Sequence, residues 1–391
     1  IALPLTCGST PTELLPRLEL LKDRYEALIH KDIENKVLGE SSEYFRYYEK
    51  EEIEALKQEE IVAQPTNLDE WMIPVAKNID LNKVQFPLIM VQEYGLNLFR
   101  LASGTMLALK NTSNVTLHMQ SIVSNIQEVC DAKEWSVTYV HNYETHTENF
   151  DYLINAAGFR TGKIDDMLGV ECEGMVEFKA AYISKWEESD GTLFPEVIFH
   201  GKRGTPEGMG QFTPYPHGYF QLHGMTHDIT LYDEGLVANT ALSCQPKLGK
   251  DFIEKIEKSW TNEEIKQRTN SAIEHLSKFI PHFSEAYAAS KPLFGAQQIP
   301  GNDPTLRVAE VSFPHERYAR CEIVKVSSVM DMIDAITKKL ITLGYTEPAM
   351  QGKRDIRYLQ AMHELEVNML AEMLCAERQY PPELAHRNVS R

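Results

Sequence analysis

The stretch DYLINAAGFRTGKIDDMLG, residues 151–169, constrains this chain more than any other. A short apolar run, Tyr152-Leu153-Ile154, ends at once in Asn155-Ala156-Ala157-Gly158. The pattern reads as a buried strand whose last residues carry almost no side chain. Glycine lacks a Cβ and tolerates positive φ, so the backbone there can turn sharply or let another group come close. Exposed N–H groups at such a turn suit phosphate or ribose oxygens. A tight strand-to-helix turn explains the same four residues without a ligand, so the surrounding sequence has to decide between them.

Before that motif, helical spacing predicts a helix over 14–29, and the charged run EKEEIEALKQEE within 42–60 predicts a solvated one. An extended piece, FPLIMVQEYGLNL, leads into a helix expected over 101–110. Strands are expected at 115–119, 121–129 and 135–141. After Gly174 the pattern changes to long alternating runs, MVEFKAAYISKW, EVIFHGK, FTPYPHGYFQLHGM and LVANTAL. These suit a largely antiparallel sheet with one wet face. An amphipathic helix over 262–279 follows. A strand at 321–326 then runs into a helix over 327–343, with Ser327 as its expected cap. The last helix, 355–378, is stopped by Pro381-Pro382 and is expected to serve packing or self-association.

The 391 residues exceed what one core usually serves, so two interwoven lobes are expected. Lys and Arg number 39 against 57 Asp and Glu, a net charge of −18, which opposes a nucleic-acid surface. Six cysteines form no C-x-x-C pair, so free thiols and a cytoplasmic location are expected. No apolar run reaches the roughly 18 residues of a membrane span. There is no G-x-S-x-G and no G-x-x-x-x-G-K-[ST], which opposes a serine hydrolase and a P-loop nucleotidase.

Residues 85–345, in their order of extended entry, helix, β-hairpin, strand, Asn-Ala-Ala-Gly and Leu-Gly, resemble the FAD-dependent amine and amino-acid oxidases, the group of D-amino-acid, glycine and sarcosine oxidases. GMGQFTPYPHGYFQLHGMT, residues 208–226, is similar to the substrate-domain strand pair of that family. The resemblance implies an α/β fold, a Rossmann-like FAD-binding domain interwoven with a mixed, largely antiparallel substrate-domain sheet. It implies an FAD domain from 1–40, 96–169 and 296–345, a substrate domain from 41–95 and 170–295, and a C-terminal helical extension over 346–391. FAD is the implied cofactor. Asn155, Ala156, Ala157 and Gly158 would lie at its ribose and pyrophosphate, and Ile122 and Val123 at its adenine. Ser327 and Ser328 would stand where the family has a glycine-rich loop, opening a helix toward the flavin. The implied function is oxidation of an amine, amino acid or hydroxy acid, with hydride passing to flavin.

The G-x-G-x-x-G element of such a domain does not occur here. The expectation is that about 30–45 residues, one βαβ start, precede Ile1 in a longer product. Two alternatives stand beside the oxidoreductase: a non-catalytic protein that keeps the fold without tightly bound FAD, and a tRNA-modifying flavoprotein. His217, His223 and His227 lack the spacing of a metal site. His217 and His223, six apart on an alternating strand, are expected on one face with Tyr215 and Tyr219 nearby, a candidate substrate pocket for a small molecule. Arg317 with Tyr318 is a candidate clamp for a substrate carboxylate, with a surface ion pair as the plainer explanation. No general base is identified.

Overall fold

The computed structural model describes residues 1–5, 10–131, 133–306, 310–322, 325–354, 357 and 361–387. The chain opens with β1 (Leu3–Pro4), α1 (Leu15–Lys31), β2 (Phe45–Tyr48), α2 (Lys50–Leu56), α3 (Leu68–Asn78), β3 (Val84–Gln85) and β4 (Leu88–Val91). The solvated helix expected at EKEEIEALKQEE is α2, Lys50–Leu56, and the strand β2 lies just ahead of it. Arg46 on β2 reaches Asp69 and Glu52, which explains why so charged a segment contains a strand.

Helix α4 (Leu98–Lys110) starts three residues earlier than expected, because the Asn97 side chain accepts from the N–H of Arg100 at 3.1 Å. Residues 115–119 form no strand pairing among the described residues and run as exposed, irregular chain. Their alternation of apolar residues predicted a strand, but alternation without a neighbouring edge does not make one. Strands β5 (Ile122–Val129), β6 (Glu134–His141) and β7 (Glu144–Phe150) form an antiparallel meander. Then come β8 (Leu153–Asn155) and α5 (Thr161–Leu168).

The long alternating runs become β9 (Gly174–Lys185), β10 (Val197–Phe199), β11 (Gly210–Pro214), β12 (Tyr219–Gly224) and β13 (Leu236–Ala238). After α6 (Lys250–Glu257) and α7 (Asn262–Ser277), β14 (Tyr287–Pro300) returns along β9. The six strands make one antiparallel sheet in the order β10-β11-β12-β9-β13, with β14 also on β9. Its inner face buries Val176, Phe178, Ala180 and Tyr182 of β9 with Phe212, Phe220 and Leu222. Helix α7 lays Ala272, Ile273 and Leu276 on the same core. Residues 68–90 and Ala2 belong to this core too.

β15 (Glu310–His315) and β16 (Tyr318–Glu322) form a hairpin, and β16 runs parallel to β8, pairing Tyr318 with Leu153 and Arg320 with Asn155. The strand expected over 321–326 therefore lies earlier in the chain, and residues 323–324 are outside those described. Helix α8 (Val329–Thr342) follows, capped at Ser328 rather than Ser327, without a side-chain cap bond.

The last described helix, α9 (Glu364–Glu377), begins after His363; positions 355–356 and 358–360 of the expected helix lie outside the described residues. It packs Ala371 and Cys375 against Phe99 of α4, with Ile183 of β9 in the same cluster. Asn97 donates to the Leu384 carbonyl at 2.7 Å and Tyr380 to that of Pro292 at 2.7 Å. Of the stripe expected to mediate self-association, Leu374 turns inward, while Met369 and Met373 remain exposed. Among the described residues no helix is long and apolar enough to cross a membrane.

Candidate functional site

β8 and β16 are neighbours and parallel, so their carboxyl ends emerge at the same edge of the sheet. β8 leads into Ala156-Ala157-Gly158, and β16 leads through Lys325 to Ser327-Ser328 and α8. In open sheets of parallel strands, ligands bind in the crevice beyond the carboxyl ends. Ala156, Ala157 and Gly158 are all exposed there. Gly158 has φ +60, and a Cβ built on it meets no atom within 4 Å, so bare backbone faces open space.

The base of this turn is rigid. Asn155 is buried and donates to the Thr161 carbonyl at 3.0 Å and to the Tyr318 hydroxyl at 2.7 Å. Its own oxygen accepts from the Ala157 N–H at 3.2 Å. The Tyr318 hydroxyl donates to Asp165 at 2.7 Å, and Arg320 stands 3.5 Å from the same carboxyl group. Burial raises the Asp165 carboxyl above its ordinary range, against the pull of Tyr318 and Arg320. Burial likewise raises the Tyr318 hydroxyl, helped by Asp165. Phenylalanine at Tyr318 removes the donor to a buried carboxylate and the acceptor of Asn155. It is expected to cost about 2–3 kcal/mol, read as a lower denaturant midpoint; an unchanged midpoint would show that the network does not hold the turn.

Ile122, 67% exposed, faces outward on β5, while Val123 turns onto the core of Ile126, Trp135, Val137 and Tyr318. The two sites expected for adenine thus lie on opposite faces of one strand, as their adjacency demands. Ser327 is exposed, and the first turn of α8 carries Asp331. Beneath Gly158 lies a cavity of ≈ 20 Å³, which Glu322 also lines. That is room for a single water, so only the open outer side of Gly158 is available to anything larger.

The candidate pocket residues do not gather in one place. Tyr215 and Tyr219 pack beneath Leu384 and Ala385. His217 sits in a left-handed turn at φ +58, before β12 begins, and lies 3.6 Å from Asp190. Strand alternation therefore does not link it to His223. His227 pairs instead with Asp233 at 3.0 Å. Arg317 closes the hairpin turn and Tyr318 opens β16, and their side chains take different partners: Arg317 bonds Glu128 at 2.7 Å, and Tyr318 bonds Asp165.

A second group escaped the sequence reading. Glu177 is 3% exposed on β9; it bonds Arg203 and lies 2.9 Å from Lys179. Lys179 also donates to Gln297 at 3.2 Å. His223 of β12 belongs with them. Burial, then Lys179, then Lys325 depress its imidazole to about 4. Its Nδ1 and the Arg203 Nη1 are buried without a hydrogen-bond partner among the described residues. Lys325 lies in the same short segment as Ser327. The signal was available in MVEFKAAYISKW: two charged residues two apart on an otherwise apolar strand share a face.

His223 gives a pH test. Its folded value, about 4, lies below the unfolded 6.5. Between those values the unfolded chain binds the extra proton. Stability is therefore complete above about pH 6.5 and declines toward pH 4. The decline expected from this group is about 2 kcal/mol, discounted for partial exposure of the ring. His223→Phe should flatten that part of the pH profile of the denaturation midpoint; an unaltered slope would assign the effect elsewhere.

No protein-family model matches the sequence, and no curated protein matches it. Solved structures do. The chain is similar to L-proline dehydrogenase from P. horikoshii at a TM-score of 0.46 and 14% identity, covering 84% of this chain and 80% of that one. It is similar to dithionite-reduced L-alpha-glycerophosphate oxidase from Mycoplasma pneumoniae with FAD bound, at 0.44 and 16%, covering 86% and 74%. For glycine oxidase from Geobacillus kaustophilus the values are 0.37 and 9%, and the match covers 62% of this chain and 52%, about half, of that enzyme.

Proposed function

We propose that this chain is part of an FAD-dependent oxidoreductase acting on a small anionic substrate, an amino acid or hydroxy acid. The observation that supports it is the shared edge where β8 and β16 end, with the unshielded backbone of Ala156–Gly158 on one side and Ser327-Ser328 on the other. The residues present fit a dinucleotide: Gly158 leaves space that a side chain would fill, and Ala156 and Ala157 add little bulk. Ser327, Ser328 and the first N–H groups of α8 would face the flavin end. When bound, FAD supplies the acceptor for a hydride. Lys179, Arg203 and Lys325 would hold the substrate's carboxylate. His223, kept neutral by burial, can accept a hydrogen bond from an amine or hydroxyl without adding charge.

The test is reconstitution. Adding FAD should give absorbance bands near about 370 and 450 nm, the cofactor's own colour, and quench its free fluorescence on binding. Gly158→Val adds a branched side chain at positive φ in the open cradle. It should weaken FAD binding about tenfold or more. If no flavin binds the unmutated protein, the oxidoreductase reading fails. A non-catalytic protein of this fold is then favoured, and Asp331 in the first turn of α8 already supports that reading, because its charge occupies the positive end of the helix.

A further inference from the structure

We propose that Cys172 and Cys244 form a reversible disulfide that ties the entrance of β9 to the loop after β13. The pair lies outside the residues assigned to cofactor or substrate. Cys172 stands in the segment between α5 and β9, and Cys244 follows β13 by six residues. The Cys172 Sγ is 3.7 Å from the Cys244 carbonyl oxygen, and the Cys244 Sγ is 3.0 Å from the carbonyl of Val170, two residues before Cys172. Each thiol thus reaches the backbone beside the other cysteine.

The backbones are held together by a third side chain. The Asn239 amide donates to the Cys172 carbonyl at 3.0 Å and to the Ser243 carbonyl at 3.4 Å. Asp166 accepts from the Cys244 N–H at 2.6 Å, fixing the loop from the other side. Both cysteines line the small cavity beneath Gly158. Cys172 is half-buried, whereas Cys244 is 8% exposed, so an oxidant reaches Cys172 first.

The oxidant is a peroxide. The Cys172 thiol loses its proton to water, and the thiolate attacks one peroxide oxygen. The O–O bond breaks, a sulfenic acid forms, and the departing hydroxide leaves as water. The Cys244 thiol then attacks that sulfur. The S–S bond forms as the S–O bond breaks, and the thiol's proton leaves with the hydroxyl as a second water. Two thiols are oxidised, and one peroxide is reduced to two waters. Burial raises the Cys172 thiol well above its ordinary range, so the first step is slow at neutral pH and accelerates as pH rises.

Closure would reach toward the proposed cofactor edge. A Cβ at Gly162, the second residue of α5, would collide with the Cys244 backbone, so helix and loop have no slack between them. Fixing Cys244 to Cys172 fixes the first turn of α5 at Gly162, four residues after Gly158.

The experiment treats the protein with hydrogen peroxide, blocks remaining thiols with an alkylating agent, and maps peptides without reduction. The expected result is one linked peptide pair, 172 with 244, lighter by about 2 Da and restored by dithiothreitol. In a Cys130→Ser background, which removes an exposed thiol, oxidation should raise Tm by several degrees. Adding Cys172→Ser should abolish both the link and the shift. Full alkylation of both cysteines after peroxide, or oxidation of Cys172 only to sulfinic acid, overturns the proposal. The peptide map needs no variant, so a poorly folding mutant does not rescue it. Neither outcome depends on flavin binding.

Discussion

Phe212→Ala is expected to destabilise the protein by about 3–5 kcal/mol. Phe212 is fully buried on β11 and stacks on Phe220 of β12 at 4.1 Å between ring centroids. Phe283 meets both rings edge-on, at 5.0 and 5.8 Å, and Phe194 stands 5.7 Å from Phe212. Aromatic pairs in these geometries add to the burial of their area. Four rings in mutual contact cannot collapse into the space one leaves, because each is held by a different element. Guanidinium unfolding should show the loss directly. Phe150→Ala is the control: Phe150 is 41% exposed on β7, and its removal should cost under about 0.5 kcal/mol. Equal losses at the two positions would mean that this cluster does not organise the sheet.

The alternating strand runs, one of which carries Phe212 and Phe220, were legible in the sequence, and their neighbours were not, for physical reasons. EVIFHGK and FTPYPHGYFQLHGM alternate cleanly because one face of the sheet is dry and the other polar. β14 pairs with the whole length of β9, yet YAASKPLFGAQQIP carries Pro292, Gly295 and two glutamines, so no period of two is visible. β7, ETHTENF, is exposed on both faces and signals nothing apolar. The bare end of β8 was readable because Ala and Gly leave a mark in sequence. What it faces was not readable, since that depends on β16 running parallel beside it, from a segment more than 160 residues away. The Arg317–Tyr318 pair illustrates the reverse. Adjacent residues suggested a common target, but Arg317 sits in the hairpin turn while Tyr318 begins the strand, and each side chain found its own carboxylate, Glu128 and Asp165.

The polar group on β9 is where stability and the proposed chemistry can be separated. Glu177→Gln removes a negative charge that Arg203 and Lys179 share, while keeping the shape of the side chain. Breaking a buried ion pair from one end costs about 3–5 kcal/mol when the remaining charge stays dry. The Lys179 side chain is 16% exposed and Arg203 is 32% exposed, so water reaches the remaining cations, and the expected cost falls to about 3 kcal/mol. Substitution also leaves Lys179, Arg203 and Lys325 with one more net positive charge. If this face holds an anion, sulfate should raise the Tm of Glu177→Gln more than that of the unmutated protein, because anything that binds the folded state alone stabilises it. A matched concentration of sodium chloride controls for screening, which acts on every exposed pair alike. A loss below about 1 kcal/mol would show that Glu177 is not the anchor of the group. A full loss of stability with no added response to sulfate would leave the ion pair as a structural brace and remove the substrate carboxylate from this face of the sheet.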